Sequence, residues 1–442
     1  MEKLLKALEK HEQLILDAEK YLWANPETGY KEVKTHKYLK EKFEALGYTL
    51  TEADGITGFY TTIDTGREGP TVLVLGEMDS VICPSHPSAD PITGAVHACG
   101  HHCQASALLG IAGALKEPNV LDEMCGKIKL CAVPAEELLE ITYRSELIEK
   151  GVISYYGGKT EFLSRGYFDD VDIALMIHTG GGIGVGKGHI GCIAKRIIYK
   201  GTASHAGGSP WSGNNALYAA TSGLNSANAI RETFVDSDVI RFHPIITEGG
   251  QIVNAIPEKV CIESYVRGKT YDAIVKSNKR INQALIGSAL SLNCNVEIIA
   301  APGYAPEINS EDMRMVAVEA SRIALGRECN LSDHTSSGST DMGDLSGIMP
   351  TVQCWSGGAT GKGHGNDYVI ANVKQATIDS AKWQLGMLYI LLKDGATRAK
   401  TIKQNFKPVY PSIKAYLDFI NSIFSKGDRI TYNDDGTATV KI

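Results

Sequence analysis

Apolar residues along the chain follow helical spacing in some segments and strand-like runs in others. Helical spacing occurs at Leu4, Leu5, Leu8, Leu14, Ile15, Ala18 and Leu22, and again over residues 36–46, 105–115 and 316–325. Short apolar runs with strand character occupy residues 71–75, 128–133, 173–177 and 350–355. Strands that alternate with helices in this way predict an α/β fold with a largely parallel central sheet.

A different order of elements begins near residue 191. Residues 192–199, 260–266 and 295–300 have strand character, whereas 215–231 and 271–290 have helical spacing. This order predicts a smaller α+β domain over residues 191–302, inserted into a larger domain of residues 1–190 and 303–400. Residues 401–442 form a C-terminal extension, with a predicted helix over 413–424 and a hairpin that turns at Asp435-Gly436.

Composition limits the classes of partner and the compartment. The chain has 442 residues, 43% of them hydrophobic, which is more than one core usually organises, so we expect two domains. The formal net charge of -7 argues against nucleic acid or a membrane as partner. Charges interrupt the apolar residues at the N-terminus, and no later apolar run is long enough to cross a bilayer. We therefore expect a soluble, cytoplasmic protein in which most of the ten cysteines are small buried side chains.

Residues 97–103 concentrate side chains that bind metals. His97, Cys99, His101, His102 and Cys103 lie within seven positions, directly before a helical segment. Thiols and imidazoles at the start of a helix either bind a metal ion or activate a nucleophile. The residues at the ends of the predicted strands help to decide between these two interpretations.

Polar side chains follow each of the predicted strands of the central sheet. Glu77 and Asp79 follow the first, the doublet Glu136-Glu137 follows the second, and His178 follows the third. A Gly-rich loop after the fourth strand leads to His364. Because ligands of open α/β sheets gather beyond the carboxyl ends of the strands, we expect these groups and Cys99 and His101 to share one edge.

Such a donor set suits a pair of borderline divalent metals, such as zinc or manganese. Two metals can activate a water and polarise a carbonyl, but a nearby base is still needed. Adjacent residues of an extended chain point in opposite directions, so one carboxylate of Glu136-Glu137 can bind metal while the other acts on water.

The motifs, taken together, resemble the M20 family of metallopeptidases and amidohydrolases. The resemblance covers about residues 10 to 395 and is closest to the branch of indole-acetyl-amino-acid, hippurate and aminobenzoyl-glutamate hydrolases. It is carried by Asn25-Pro26-Glu27-Thr28-Gly29-Tyr30, Glu77-Met78-Asp79, His97-Ala98-Cys99-Gly100-His101, Pro134-Ala135-Glu136-Glu137, Gly201-Thr202-Ala203-Ser204-His205-Ala206 and residues 249–257.

The resemblance implies a catalytic α/β domain interrupted by a lid domain, which usually mediates formation of a homodimer or a higher homo-oligomer. It implies two divalent ions, zinc or manganese, with cobalt and nickel as further candidates, and hydrolysis of the amide bond of an N-acyl or N-aroyl amino acid or a small dipeptide-like compound. The implied metal ligands are Cys99, His101, Glu137, His178 and His364. The implied catalytic residues are Glu136 as general base, His205 for the oxyanion and Asp79, and the candidate substrate-binding residues are Asn254, Arg267, Thr340 and His102.

Three features depart from the branch, and one of them is that Glu77 stands where many members carry Asp. His102 stands where aspartate is usual, and it could be an extra ligand, a partner of a ligand or a substrate contact. The segment Ser339-Thr340-Asp341-Met342-Gly343-Asp344 resembles the aminobenzoyl-glutamate hydrolases and dipeptidase-like members more than the hippurate type. Hydrolytic deamination of an aryl amine uses the same activated water and is an alternative reaction.

Other classes fit the motifs less well. Residues 181–187 match the first seven positions of a phosphate-binding P-loop, but Gly188 replaces the Ser or Thr that holds magnesium, and strand character rather than a helix follows. A zinc-dependent nucleobase deaminase would need Cys-x-x-Cys, which does not occur. A Cys/His nucleophile built on Cys99 stays open, and chelation would separate it from a metal enzyme because a cysteine hydrolase survives metal removal.

Overall fold

The computed structural model describes all 442 residues as a mixed α/β protein. Its helices, in chain order, are α1 (Glu2–Glu9), α2 (Glu12–Trp23), α3 (Val33–Ala45), α4 (His101–Lys116), α5 (Ile141–Glu149), α6 (Gly158–Ser164), α7 (Ala216–Ala229), α8 (Tyr271–Ser291), α9 (Glu311–Leu325), α10 (Gly343–Ser346), α11 (Ser380–Asn405) and α12 (Ile413–Ile423). Non-helical backbone at 393–396 breaks α11, and a π-helical turn over 375–379 precedes it.

The strands, in chain order, are β1 (Thr51–Glu52), β2 (Phe59–Asp64), β3 (Thr71–Glu77), β4 (Val81–Ile82), β5 (Ala95–Val96), β6 (Lys127–Val133), β7 (Ile173–Thr179), β8 (Gly184–Val185), β9 (Gly188–His189), β10 (Gly191–Lys200), β11 (Arg241–Phe242), β12 (Ile245–Glu248), β13 (Lys259–Gly268), β14 (Asn295–Tyr304), β15 (Asn330–Leu331), β16 (Thr335–Ser336), β17 (Thr351–Ser356), β18 (Ala359–Thr360), β19 (Val369–Ile370), β20 (Ser425–Asp428), β21 (Ile430–Tyr432) and β22 (Ala438–Val440).

An eight-stranded sheet organises the larger part of the chain. Its strand order is β1-β2-β6-β3-β7-β17-β8-β15, and the central strands β6, β3, β7 and β17 are parallel to one another. These are the apolar runs that the sequence pattern assigns to strands, and all of β3 and β7 is buried. The prediction of an α/β fold with a largely parallel central sheet is confirmed. Because the four strands are parallel, their carboxyl ends open at one edge.

The second sheet has six strands, all of them antiparallel to their neighbours. Its order is β11-β13-β10-β14-β20, with β12 also paired to β13. Helices α7 and α8 pack on it. Their buried apolar residues and those of the sheet belong to one large apolar cluster. Five of the strands come from residues 191–304, and the sixth comes from the C-terminal end of the chain.

Helix α4 lies at the centre of another large apolar cluster, which is the core of the larger part of the chain. Residues 101–115 are all buried, since β3, α1, α2 and α11 pack around the helix. The continuous helical stripe expected over residues 4–22 is wrong in one respect, because a turn at Lys10 and His11 divides it into α1 and α2. A Cβ at Gly113 would lie 2.6 Å from the ring of His11, so the absence of a side chain there lets the turn approach α4.

The C-terminal residues are packed against the second sheet and against helices of the larger part of the chain. Helix α12 buries Tyr416 and Ile420, and Tyr416 hydrogen-bonds to the Asp344 carboxylate near α10. Strand β20 then pairs with β14 at residues 297–300, and Lys426 forms an ion pair with Glu149 on α5. Strands β21 and β22 form a hairpin around 433–437. No helix of the protein combines the length and apolar character needed to span a membrane.

We expect the packing of α12 to contribute to stability. Replacing Ile420, which is fully buried, by Ala should lower the free energy of unfolding by about 2 to 5 kcal/mol, because the cavity left behind cannot fully collapse. Lys414→Ala on the exposed face of the same helix is the matched control, with a change of only a few tenths of a kcal/mol expected. Urea denaturation measures both, and an Ile420→Ala midpoint equal to that of the wild type would contradict this role of α12.

Candidate metal centre

Five candidate ligands converge at the carboxyl edge of the parallel strands. Cys99 lies in the loop before α4, and His101 is the first residue of that helix. Glu137 follows β6, His178 is the sixth residue of β7, and His364 lies in the loop between β18 and β19. Residues that are far apart in sequence therefore meet because neighbouring parallel strands all end at this edge.

The donor atoms form two groups that share one thiol. Donor atoms of Cys99, His101 and His178 all lie within 4.8 Å of one another, and so do those of Cys99, Glu137 and His364. The Cys99 Sγ is 3.4 Å from the His178 Nε2, and the His364 Nε2 is 3.1 Å from a Glu137 carboxylate oxygen. A thiolate common to two sets of nitrogen and oxygen donors is suited to a pair of borderline divalent ions.

Neighbouring groups orient the imidazoles. Asp79 accepts a hydrogen bond from the His101 Nδ1 at 3.0 Å, and its second oxygen accepts one from the Glu137 backbone N–H at 2.7 Å. The His178 Nδ1 lies 2.8 Å from the Thr179 carbonyl oxygen. Both histidines thus direct Nε2 into the cluster, which is the arrangement that outer partners of metal-bound histidines produce.

Unpartnered buried atoms show that the donor set fits a metal. The His101 Nε2 and one Glu137 carboxylate oxygen are buried and have no hydrogen-bond partner in the protein. Buried polar atoms normally have such partners, because leaving one without costs free energy. Bound cations would supply the missing interaction for both atoms.

Charges in the cluster shift several pKa values. Burial and the Glu137 carboxylate raise the pKa of Cys99, but the imidazoles of His101 and His178 outweigh them and bring it to about 6. Burial also acts to raise the pKa of Glu137, yet the neighbouring His364 and His101 hold it well below its usual value. The site therefore favours thiolate and carboxylate, the forms that bind metal.

Glu136 differs from its neighbour in both position and protonation. It lines the cavity, and its carboxylate is 3.8 Å from the His101 Nε2. Burial, together with the charges of Glu77 and Glu137, raises its pKa well above the usual value. Two adjacent carboxyl groups with pKa values displaced in opposite directions can take different roles, one as a ligand and one in proton transfer.

The turn that presents Glu136 and Glu137 is held from both sides. Ala135 adopts a left-handed conformation with φ of 55°, which is unfavourable for a residue with a Cβ. Its N–H donates to the buried Glu32 carboxylate at 2.8 Å, and Arg144 donates to the carbonyl oxygens of Ala135 and Glu137. The Tyr304 hydroxyl donates to the Glu136 carbonyl oxygen. Sequence reasoning missed Glu32, Arg144 and Tyr304, which lie in segments that carry no metal-binding motif.

A fully buried lysine balances two further carboxylates beside the cluster. The Lys159 Nζ is 2.5 Å from carboxylate oxygens of both Glu77 and Asp341. Burial alone would raise the pKa of Glu77, but Lys159 and His101 lower it to about 2. Sequence reasoning missed Lys159 because a single Lys in helix α6 carries no recognisable spacing.

A cavity of about 600 Å³ opens onto the donor cluster. Its walls include the aromatic side chains of Tyr265, Tyr304, Trp355 and Tyr368, and its polar lining includes Arg267, Ser339, Thr340 and His189. Arg267 donates to the Ser339 hydroxyl and to the His243 ring, each at 3.1 Å, so its guanidinium is held in place. A larger cavity of about 940 Å³ beside α12 contains none of the candidate metal ligands.

Three of the candidate site residues, His205, Asn254 and His102, do not line the cavity that opens onto the donor cluster. His205 and Asn254 are exposed in neighbouring loops of the inserted segment, and neither lines the cavity. The His205 Nδ1 accepts hydrogen bonds from the Gly207 and Gly208 N–H groups. His102 is fully buried against Trp23 and Glu19 and does not line the cavity. The ring of His102 lies on the α2 side of α4, away from the cavity.

The chain is similar in sequence and in fold to known proteins. The chain is 28% identical over 294 residues to the indole-3-acetyl-aspartic acid hydrolase of Enterobacter agglomerans, across 60% of this chain and 62% of that protein. It is 24% identical over 413 residues to a p-aminobenzoyl-glutamate hydrolase chain of Escherichia coli K12, across 79% and 82%. A dinuclear metal binding peptidase of the M20 family from Bacillus subtilis has the same fold, with a TM-score of 0.62, 18% identity, and coverage of 87% of this chain and 99% of that one.

The family assignment rests on the larger part of the chain. Residues 73–377 match peptidase family M20/M25/M40, and this range includes all five candidate ligands and Glu136. Relatives named as dipeptidase, deacetylase and amino acid hydrolases all act on amide bonds. The chain therefore belongs to peptidase family M20/M25/M40 and is a metal-dependent hydrolase of amide bonds.

Proposed function

We propose that the protein hydrolyses the amide bond of an N-acyl or N-aroyl amino acid, or of a small dipeptide-like compound, with Glu136 as general base. The observation that carries the proposal is the cluster itself, which is buried except for Cys99 and His364, and in which one thiol is common to two donor sets and an additional carboxyl group lies beside them. The aromatic walls and the fixed Arg267 of the adjoining cavity suit a substrate with an apolar acyl group and a carboxylate.

The cluster divides into two sets of donors. His101 and His178 would hold one ion and Glu137 and His364 the other, with Cys99 in contact with both. Zinc or manganese suits these donors. Bound divalent ions would lower the pKa of a water molecule and polarise the substrate carbonyl.

Glu136 has the properties of the acid/base group. It is buried, lies at the edge of the cavity, and is fixed by the Tyr304 hydrogen bond to its backbone carbonyl. In this role it takes a proton from the attacking water and delivers one to the departing nitrogen. A carboxyl group whose pKa is raised by burial is suited to both transfers near neutral pH.

Arg267 is the group that would bind the substrate carboxylate. A guanidinium presents two parallel N–H donors that match a carboxylate, and Ser339 and His243 hold this one in place. The names of two relatives describe amides of aspartate and glutamate, which carry such carboxylates. Thr340 lies beside Ser339 in the wall of the cavity and would add a polar contact.

The inserted segment would act as a lid and as the surface that joins two chains. Several large apolar side chains of this segment are exposed, which is typical of an interaction surface, and they are Trp211, Tyr218, Ile245, Ile246, Ile252 and Val253. His205 lies in the same region and outside the cavity of its own chain. A second copy packed on this face would allow His205 to reach the partner's site and stabilise the oxyanion.

The role of Glu136 is tested by Glu136→Gln. The variant should keep the wild-type metal content, because Glu136 lies outside the two donor sets that share Cys99, but kcat should fall by about 10²- to 10⁴-fold with the loss of the base. The assay is mass spectrometry of N-acyl amino acids, aminobenzoyl-glutamate, β-alanyl dipeptides and aryl amines incubated with metal-supplemented enzyme. The exposed Glu149→Gln is the matched control, and turnover of Glu136→Gln at the wild-type rate would sink the proposal.

The role of Arg267 is tested with pairs of substrates. Arg267→Lys keeps the charge but loses the paired donors, so kcat/KM for a substrate with a free carboxylate should fall by about 10-fold or more. The same substrate with its carboxylate converted to an amide serves as the control, because it lacks the group that Arg267 binds. An equal loss for both substrates would show that Arg267 does not recognise the carboxylate.

The role of His205 across the dimer is tested by co-expressing Glu136→Gln with His205→Asn. Each variant alone should be nearly inactive. Mixed dimers have one site with both Glu136 and the partner's His205, so a random mixture should regain about a quarter of wild-type activity. A mixture that stays as inactive as its parents, while forming dimers in solution, would place the action of His205 within its own chain.

A further inference from the structure

A second group of metal-binding side chains lies between α2 and α4. It consists of Glu19 on α2 and of His102 and Cys103 in the first turn of α4, and their donor atoms all lie within 4.8 Å of one another. His102 and Cys103 are fully buried, whereas the Glu19 side chain is 12% exposed. Thiol, imidazole and carboxylate donors therefore meet between the two helices, and Glu19 is the partly exposed member of the group.

This group is separate from the metal centre described above. His101 directs its ring towards Asp79 and Cys99, whereas the ring of His102, one residue later, packs against Trp23 on α2. Consecutive helical residues project about 100° apart, which is enough to direct the rings of His101 and His102 to different neighbours. None of Glu19, His102 and Cys103 lines the cavity above the metal centre.

The contact between His102 and Glu19 is longer than a hydrogen bond, whereas the Cys103 thiol lies within hydrogen-bond distance of the His102 ring. The His102 Nε2 is 3.4 Å from a Glu19 carboxylate oxygen and 3.4 Å from the Cys103 Sγ. The first distance exceeds the usual range for N–H···O bonds, about 2.7 to 3.2 Å. Both distances match the edges of a tetrahedron around zinc, about 3.4 Å between nitrogen and oxygen and about 3.6 Å between nitrogen and sulfur, given ordinary zinc–ligand lengths.

Buried nitrogen atoms next to the group also lack partners. The His102 Nδ1 and both ring nitrogens of His97 are buried and have no hydrogen-bond partner in the protein. The His97 ring lies 4.9 Å from the His102 ring, between centroids. Two neighbouring imidazoles with so few partners are unusual for a site whose purpose is packing alone.

We propose that Glu19, His102 and Cys103 bind a zinc ion that is distinct from the ions of the catalytic centre. A thiolate, an imidazole and a carboxylate are zinc donors, and a water molecule completes a four-coordinate site. Binding releases the proton of the Cys103 thiol to solvent as the sulfur becomes a ligand. The ion connects α2 to the first turn of α4, the turn that begins with the catalytic-site ligand His101.

The first test counts zinc per chain. The full-length protein is loaded with zinc, dialysed against metal-free buffer and measured by elemental analysis, with circular dichroism to confirm folding. Cys103→Ser and His102→Asn should each contain one zinc equivalent fewer than the wild type, and Cys329→Ser, a buried thiol at a distant site, should match the wild type. Equal zinc content in the wild type and in whichever of the two variants folds would overturn the proposal.

The second test assigns the lost ion to Cys103 rather than to Cys99. Cobalt-loaded Cys99→Ser should retain a near-ultraviolet charge-transfer band from a cobalt–thiolate bond, and Cys99→Ser/Cys103→Ser should lack it. No such band in Cys99→Ser would contradict the site. Neither measurement reads hydrolysis, so failure of this site and failure of the proposed reaction are distinguishable.

Discussion

The ion pairs of Lys159 determine how so many acidic groups can be buried together. Glu77, Asp79, Glu136, Glu137 and Asp341 all lie in or beside the cluster, and each is almost completely buried. Transferring charges out of water is costly unless they are paired. Lys159 compensates two of the carboxylates, and the histidines and the ions that the cluster would bind compensate the others.

The acidic doublet depends on a second constraint, the geometry of the turn after β6. The left-handed backbone at Ala135 is unfavourable in itself, so the surrounding structure must hold it. Glu32 from the loop before α3, Arg144 from α5 and Tyr304 from β14 bind the backbone of this turn. Three elements from different parts of the chain thus fix the backbone that presents the two carboxylates, and Glu137 is the one that contacts His364.

The glycine at the start of α4 shows the same dependence at a single residue. Gly100 has φ of 90°, and a Cβ there would lie 2.6 Å from the Tyr368 hydroxyl and 2.8 Å from the Thr179 Cβ. The residue separates Cys99 from His101, so the chain can turn sharply between the two ligands only because no side chain is present. Histidines on neighbouring helix positions then face different neighbours, His101 the donor cluster and His102 helix α2.

The sequence by itself determined the parallel strands, their order along the chain and the polar residues that follow each of them, because these features depend on local spacing and on the general geometry of α/β sheets. It also identified residues 97–103 as rich in metal donors. It could not place Lys159, Glu32 or Arg144, because their partners are distant in sequence, as Asp341 is from Lys159. It also could not place strand β20, because the sequence Ser-Lys-Gly-Asp lacks strand alternation and the strand joins the second sheet through backbone pairing with β14. Only the tertiary structure decided that His102 lies outside the substrate cavity and that His205 and Asn254 do too, because the direction of a side chain depends on which elements pack around it.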